Sequence, residues 1–191
     1  MREATVKRET KETRVDLHLN LDTPKCEVNT GIGFLDHMLE ILAFHGGFGL
    51  KVSALGDLNV DCHHTVEDIG IVLGQAFHEA VGDKSGIERY GSFYAPMDEA
   101  LALVALDISG RPYLAFDAAF EEERVGSFDT CMTVEFLRAF AFHAGITLHV
   151  KVLYGSNAHH QIEAIFKAMA HALKIALTQT DGAVLSTKGV L

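Results

Sequence analysis

The sequence predicts an α+β fold made by internal duplication. Two similar half-domains, approximately residues 1–88 and 89–191, would each pack a small, mostly antiparallel sheet with two helices and together form a single compact unit. Three observations predict it. His63-His64-Thr65-Val66-Glu67 returns as His159-His160-Gln161-Ile162-Glu163. Ala43-Phe44-His45-Gly46-Gly47-Phe48 returns as Ala141-Phe142-His143-Ala144-Gly145-Ile146, at nearly the same distance before the double histidine. Stretches of period-two apolar alternation are interleaved with stretches of helical periodicity, as expected of sheets covered by helices.

Val15, Leu17, Leu19 and Leu21 alternate with Arg14, Asp16, His18 and Asn20, a strand with one face on the core. After Gly31-Ile32-Gly33, the residues Phe34, Leu35, Met38, Leu39, Leu42 and Ala43 recur at helical spacing up to the stop at Gly46-Gly47. A short strand near Leu50 to Ala54 leads to the first double-histidine helix, which runs through Val81. In the second half, Leu101 to Ile108 and Tyr113 to Phe116 flank Ser109-Gly110-Arg111-Pro112, which reads as a hairpin. A helix over Thr133 to Phe142, a strand over Thr147 to Leu153 and a helix over His160 to Leu177 follow.

At 191 residues with 48% hydrophobic content the chain can bury a substantial core, and no linker separates the halves. A net charge of −10 argues against nucleic acid as a partner, since the phosphate backbone would be repelled. Three cysteines, Cys26, Cys62 and Cys131, form no Cys-x-x-Cys pair and suit a reducing cytoplasm. The polar start argues against a signal peptide, and no apolar run has the length of a membrane span.

On a helix, positions i and i+4 share a face, so His63 with Glu67 and His159 with Glu163 each form a two-ligand jaw for a divalent metal. His64 and His160 point about a quarter-turn away, toward other targets. His37 and Glu135 fall at the same register before the repeated blocks, and both can bind metal. The simplest partition gives one metal His37, His64, His159 and Glu163, and the other Glu135, His160, His63 and Glu67. Imidazole and carboxylate ligands without thiolate favour Mn²⁺ or Fe²⁺ over a structural Zn²⁺. Lys167, one turn beyond Glu163, is placed to hold an anionic substrate group, whereas the equivalent Ile71 cannot. Arg89, Arg111 and the terminal Ser186-Thr187-Lys188 are further phosphate-type donors in loop contexts. His45 and His143 precede helix-ending glycines and read as caps. His18, His78, His149 and His171 are isolated, Cys62 reads as structural, and Gly31-Ile32-Gly33 lacks a nucleotide-binding pattern.

Phe34-Leu35-Asp36-His37-Met38-Leu39, His63-His64-Thr65-Val66-Glu67-Asp68, Met97-Asp98-Glu99-Ala100-Leu101, Ser109-Gly110-Arg111-Pro112-Tyr113, His159-His160-Gln161-Ile162-Glu163-Ala164 and Ser186-Thr187-Lys188-Gly189-Val190-Leu191 stand in this order along the chain. Together they resemble the blocks of the imidazoleglycerol-phosphate dehydratase family over essentially the whole sequence. The resemblance implies a hydro-lyase of histidine biosynthesis with two Mn²⁺ per active site at subunit contacts, in a 24-subunit homo-oligomer. It implies that two metals grip the imidazole of the substrate and stabilise an imidazolate, while the adjacent hydroxyl leaves and the enol becomes imidazole acetol phosphate. Glu12 matches the family's substrate-contacting glutamate and is the acid–base candidate, with Asp98, before the corresponding strand, as the alternative. Glu67 and Glu163 join Glu12 in the implied catalytic set. His37, His63, Glu67 and His159 would line the substrate, and Arg89, Arg111, Lys167, Ser186, Thr187 and Lys188 its phosphate end. Glu135 departs from the histidine that many members carry, although its oxygen can still bind Mn²⁺. A binuclear metallohydrolase would use similar ligands without requiring an imidazole, and a non-catalytic metal-binding cage would place them on long helices, which this alternation of strands and helices does not favour.

Overall fold

A computed structural model of the chain describes residues 2–182, 185 and 186. The first half runs β1 (Glu3–Glu9), β2 (Thr13–Asn20), β3 (Cys26–Asn29), α1 (Gly33–Gly46), β4 (Gly49–Gly56) and α2 (His63–Val81). The second runs β5 (Tyr90–Met97), β6 (Ala100–Asp107), β7 (Tyr113–Asp117), the short pair β8 (Arg124–Val125) and β9 (Phe128–Asp129), α3 (Met132–Ala144), β10 (Thr147–Tyr154) and α4 (Ala158–Ala176). The sheet orders are β1-β2-β4-β3 and β5-β6-β10-β7, and in each the last pairing alone is parallel. The two halves therefore share one topology, with β8 and β9 added to the second.

Each sheet turns one face to the core. Val15, Leu17 and Leu19 are buried while their strand neighbours Arg14 and Asp16 are not, and Ala102, Val104 and Leu106 repeat the pattern on β6. Helices α2 and α4 cover these faces, and each half's other helix crosses to its counterpart: α1 packs on α4, and α3 on α2. Gly70 and Gly74 permit the close approach of α2 to α3, because a Cβ at Gly74 would lie 2.7 Å from the Phe140 carbonyl oxygen. Helix α1 stops where Gly47 turns left-handed at φ 73° and its N–H reaches the Ala43 carbonyl, and Gly145 ends α3 in the same way at φ 68°.

Ser109-Gly110-Arg111-Pro112 does not close a hairpin. Strand β10 lies between β6 and β7, pairing antiparallel with the former and parallel with the latter, so the turn leads to a strand with which its predecessor does not pair. Strands β1, β3 and β5 add to the elements expected from alternation.

Strand register fixes the equivalences between halves residue by residue. Val15 pairs with Arg8 on one side and Ala54 on the other, and Ala102 pairs with Ala95 and Val152 in the same manner. With Glu9–Arg14 and Pro96–Leu101 as matching pairs beside the turn, Thr13 corresponds to Ala100 and Glu12 to Glu99. Asp98 corresponds to Lys11, so it is not the counterpart of Glu12.

Candidate metal centre

Helix α4 begins with the second double histidine. The Asn157 side chain accepts the His160 N–H at 3.1 Å and caps the helix, which places His159 in its first turn. One turn on, Glu163 comes under His159, with 3.2 Å between Oε2 and Nε2. Packing of α1 on α4 brings His37 from the other half to the same carboxylate, Nε2 at 3.6 Å from Oε2. Among the described residues these three form the one group of metal-binding side chains whose ligand atoms all lie within 4.8 Å of one another. Phe34 stands edge-on to the His159 ring with centroids 5.0 Å apart, and fixes its orientation.

Glu163 is only 6% exposed. Burial pushes its carboxyl toward neutrality, but the ammonium of Lys167, at 2.7 Å from Oε1, together with His159 and His37 outweighs that and holds it below the usual carboxylate range. Two imidazoles and an ionised carboxylate suit a first-row divalent ion with open coordination positions. Lys167 is also 3.2 Å from the Met97 sulfur.

The matching jaw on α2 is wider, with His63 Nε2 and Glu67 Oε2 4.0 Å apart. Glu135 is engaged by the Arg138 guanidinium and does not join them in a compact group. The intervening histidines turn elsewhere, as their position on the helix dictates. His64 Nδ1 lies 3.0 Å from Asp57 Oδ2 and 3.9 Å from Glu12 Oε2, and the hydrogen bond to Asp57 raises its pKa. His64 therefore stands apart from the group of His37, His159 and Glu163. His160 Nδ1 lies 2.7 Å from Glu99 Oε2 and its Nε2 3.7 Å from Asp98, and Glu99 raises its pKa likewise. In both histidines a carboxylate on Nδ1 favours a tautomer that leaves the Nε2 lone pair for a metal.

The family model of imidazoleglycerol-phosphate dehydratase matches residues 30–173. That span contains every residue of the metal group. The chain belongs to the imidazoleglycerol-phosphate dehydratase family. The dehydratase of Acetivibrio thermocellus is 57% identical over all of this chain and 99% of its own, and that of Limosilactobacillus fermentum is 56% identical over the full length of both. Among solved structures, the dehydratase of Staphylococcus aureus superposes with TM-score 0.86 at 47% identity, covering 93% of this chain and 99% of its own. That of Pyrococcus furiosus does so with TM-score 0.85 at 39% identity, covering 97% and 100%.

The remaining residues expected of an imidazoleglycerol-phosphate dehydratase fall in two places. Glu12 sits in the β1–β2 turn with its side chain 56% exposed, beside His64. Arg89 is buried at a left-handed position, φ 69°, and grips Asp107 with both Nε (2.6 Å) and Nη2 (2.9 Å), while Nη1 donates to the Leu185 carbonyl. Arg111 approaches the same Asp107 at 3.6 Å. Leu185, the residue before Ser186, is thus bonded to Arg89, and Thr187 and Lys188 lie outside the described residues. Arg89 meets the far end of α4, its N–H bonded to the Ala176 carbonyl, and the helix separates that end from His159 by roughly 25 Å at 1.5 Å per residue.

Asp57, Glu99 and Asp107 hold candidate site residues and escaped motif reading: Glu99 and Asp107 meet partners distant in sequence, and Asp57 reaches His64 from the loop between β4 and α2. The one available signal was charge at a strand end. No helix of the described residues is long and apolar enough to cross a membrane.

Proposed function

We propose that this chain converts D-erythro-imidazole glycerol phosphate to imidazole acetol phosphate, the hydro-lyase reaction EC 4.2.1.19 of histidine biosynthesis, at a metal site. The observation that carries the reading is the group of His37, His159 and Glu163, assembled across the two halves of a chain that matches the family throughout. The proposed cofactor is Mn²⁺, two per site, with His37, His159, Glu163 and a neighbouring subunit's copy of His64 on one ion. His63, Glu67, Glu135 and His160 would hold the other, with Arg138 releasing Glu135. Bound metal supplies Lewis-acid stabilisation for charge that develops on the imidazole ring.

The chain's own groups do the rest. Glu12 would take the proton from the carbon attached to the imidazole, a role that its exposure and its position 3.9 Å from His64 support. Glu67 and Glu163 would supply the carboxylate ligands of the two jaws, and His37, His63 and His159 would bracket the ring. Lys167, Arg89, Arg111, Ser186, Thr187 and Lys188 would neutralise the phosphate. Within one chain the arginines and the metal group stand at opposite ends of α4, much farther apart than the length of so small a substrate. That distance supports a site composed from several subunits, in keeping with the 24-subunit homo-oligomer that the family resemblance implies. The reading takes the protein as cytoplasmic and divides the repeats near residue 88.

The test is formation of imidazole acetol phosphate by chelator-stripped protein with and without Mn²⁺, beside His63→Ala and Glu12→Gln. Activity restored by Mn²⁺ and abolished in His63→Ala is expected. No turnover by folded, metal-loaded protein would overturn the reading.

A further inference from the structure

The two halves differ sharply beneath the turn that carries Glu12. Asp68, 7% exposed, accepts the Arg8 Nε–H at 2.8 Å on one oxygen and the buried Thr13 hydroxyl on the other. The repeat supplies an internal control. Arg8 corresponds to Ala95 and Thr13 to Ala100 by strand register, and Asp68 to Ala164 by the double-histidine motif. All three alanines are 3% exposed or less. The same fold thus closes over this spot with methyl groups, and it does not need a polar cluster there. An ion pair between a buried carboxylate and an arginine whose side chain is 38% exposed brings little net stability over apolar contacts, so stability does not account for the cluster in the first half.

What the first half has in addition is Glu12 in its acid–base position. The turn is tied on each side: Thr10 Oγ1 accepts the N–H of Glu12 at 3.1 Å and of Thr13 at 3.0 Å, and the Glu12 carbonyl accepts the Asp57 N–H at 3.1 Å. Through the Thr13 hydroxyl, Asp68 fastens this turn to α2, immediately after Glu67. We infer that Asp68, with Arg8 and Thr13, is a positioning residue that sets Glu12 beside His64 at the start of α2. The inference rests on the acid–base reading of Glu12. Arg8 orients the carboxylate, the carboxylate orients Thr13, and Thr13 holds the base one residue away.

The experiment uses the Mn²⁺-loaded, assembled enzyme. The triple variant Arg8→Ala, Thr13→Ala, Asp68→Ala copies the second half, and it is compared with Glu12→Gln, with the two combined, and with Thr13→Ser and Thr13→Val. The triple variant is expected to keep its bound Mn²⁺, exchange the Glu12 and Thr13 amide hydrogens faster, and lose about 100-fold in kcat, the cost of a base misplaced by an ångström. KM should stay within about threefold, since uniform binding is untouched. In the Glu12→Gln background the same three changes should cost nothing further. Thr13→Ser should retain activity and Thr13→Val lose it, a comparison that decides the matter alone if the triple variant does not assemble. Wild-type kcat in the triple variant and in Thr13→Val, or equal losses in both backgrounds, overturns the inference while leaving Glu12 in place. Full activity in Glu12→Gln overturns both.

Discussion

Glu12 and Glu99 occupy the same position in the two repeats and have opposite fates. Glu99 accepts the N–H groups of Asn157 at 2.9 Å and Ser156 at 3.1 Å and holds His160 at 2.7 Å. Its carboxyl is pulled down to about 2, most by the Asn157 amide, then by His160 and Ser156. In the first half Asp57 has taken over the histidine, at 3.0 Å from His64 Nδ1. Glu12 is thereby left exposed, its Oε2 3.9 Å from His64 Nδ1. A carboxylate committed to three donors makes a poor base, which sets Glu99 apart from the acid–base role proposed for Glu12.

Exchanging the two glutamates for glutamine should therefore separate two functions. Glu99→Gln removes the charge that orients His160 and should weaken Mn²⁺ retention about 10- to 100-fold, the usual cost of losing an outer partner of a ligating histidine. Glu12→Gln should leave retention unchanged and lower kcat. Dialysis against Mn²⁺ followed by metal analysis gives the first result and steady-state kinetics the second. Equal metal loss in both variants would refute the division of labour.

The Glu99–His160 pair also has a pH signature in metal-stripped protein. Glu99 titrates at about 2 when folded against an ordinary 4.5, so its stabilisation is complete above 4.5 and disappears as the pH falls toward 2. His160 is raised above its ordinary 6.5, so its part is complete below 6.5 and disappears as the pH rises through the raised value. The Tm difference between wild type and Glu99→Gln should be largest between pH 4.5 and 6.5 and shrink on both sides. On the alkaline side it should not vanish, because the Asn157 and Ser156 amides still hold the carboxylate. A gap that is constant from acid to alkaline pH would contradict the assignment.

These contrasts mark what the sequence could and could not convey. The duplication, the helices and the jaws were legible because each is local: a motif repeated, a period of 3.6, a spacing of four. Strand β1 was harder to read, since its inward face carries only two apolar residues, Ala4 and Val6, followed by the charged Arg8. The turn at residues 109–112 carries good turn chemistry, but turn chemistry does not choose a partner. The insertion of β10 between β6 and β7 is a long-range event. The meeting of His37 with His159 and Glu163 depends on α1 crossing to α4. The equivalence of Glu12 with Glu99 needed strand register, for which proximity to a strand start was no substitute.

Lys167 should prove structural as well as substrate-directed. Its ammonium compensates Glu163, whose side chain is only 8% exposed, and the lysine itself is 23% exposed. Lys167→Met leaves that carboxylate with the two histidines alone and should destabilise metal-stripped protein at pH 7 by about 1–3 kcal/mol, the range for a buried group losing a charged partner. Added Mn²⁺ should narrow the gap, because the cation replaces the ammonium beside Glu163. Denaturant unfolding with and without the metal checks both statements. A gap that widens on adding metal would mean that Lys167 assists the ligand set.

Two glycines on helices should respond in opposite directions to alanine. A Cβ on Gly74 would fall 2.7 Å from the Phe140 carbonyl oxygen, 2.8 Å from His143 Cβ and 3.0 Å from the Ala144 amide nitrogen, so the main chain of α3 would have to move. Overpacking of that kind costs about 1–3 kcal/mol, more than the roughly 1 kcal/mol that alanine gains in helix propensity. Gly74→Ala should therefore destabilise the protein. At Gly33, the first residue of α1, a Cβ meets nothing within 4 Å. Gly33→Ala should stabilise by up to about 1 kcal/mol through the lost freedom of the unfolded chain. Because α3 carries Glu135, the shift forced by Gly74→Ala should reach the second jaw as well, and weaken metal retention where Gly33→Ala does not. Urea midpoints and bound Mn²⁺, measured on the same two variants, separate packing at the α2–α3 contact from helix propensity alone.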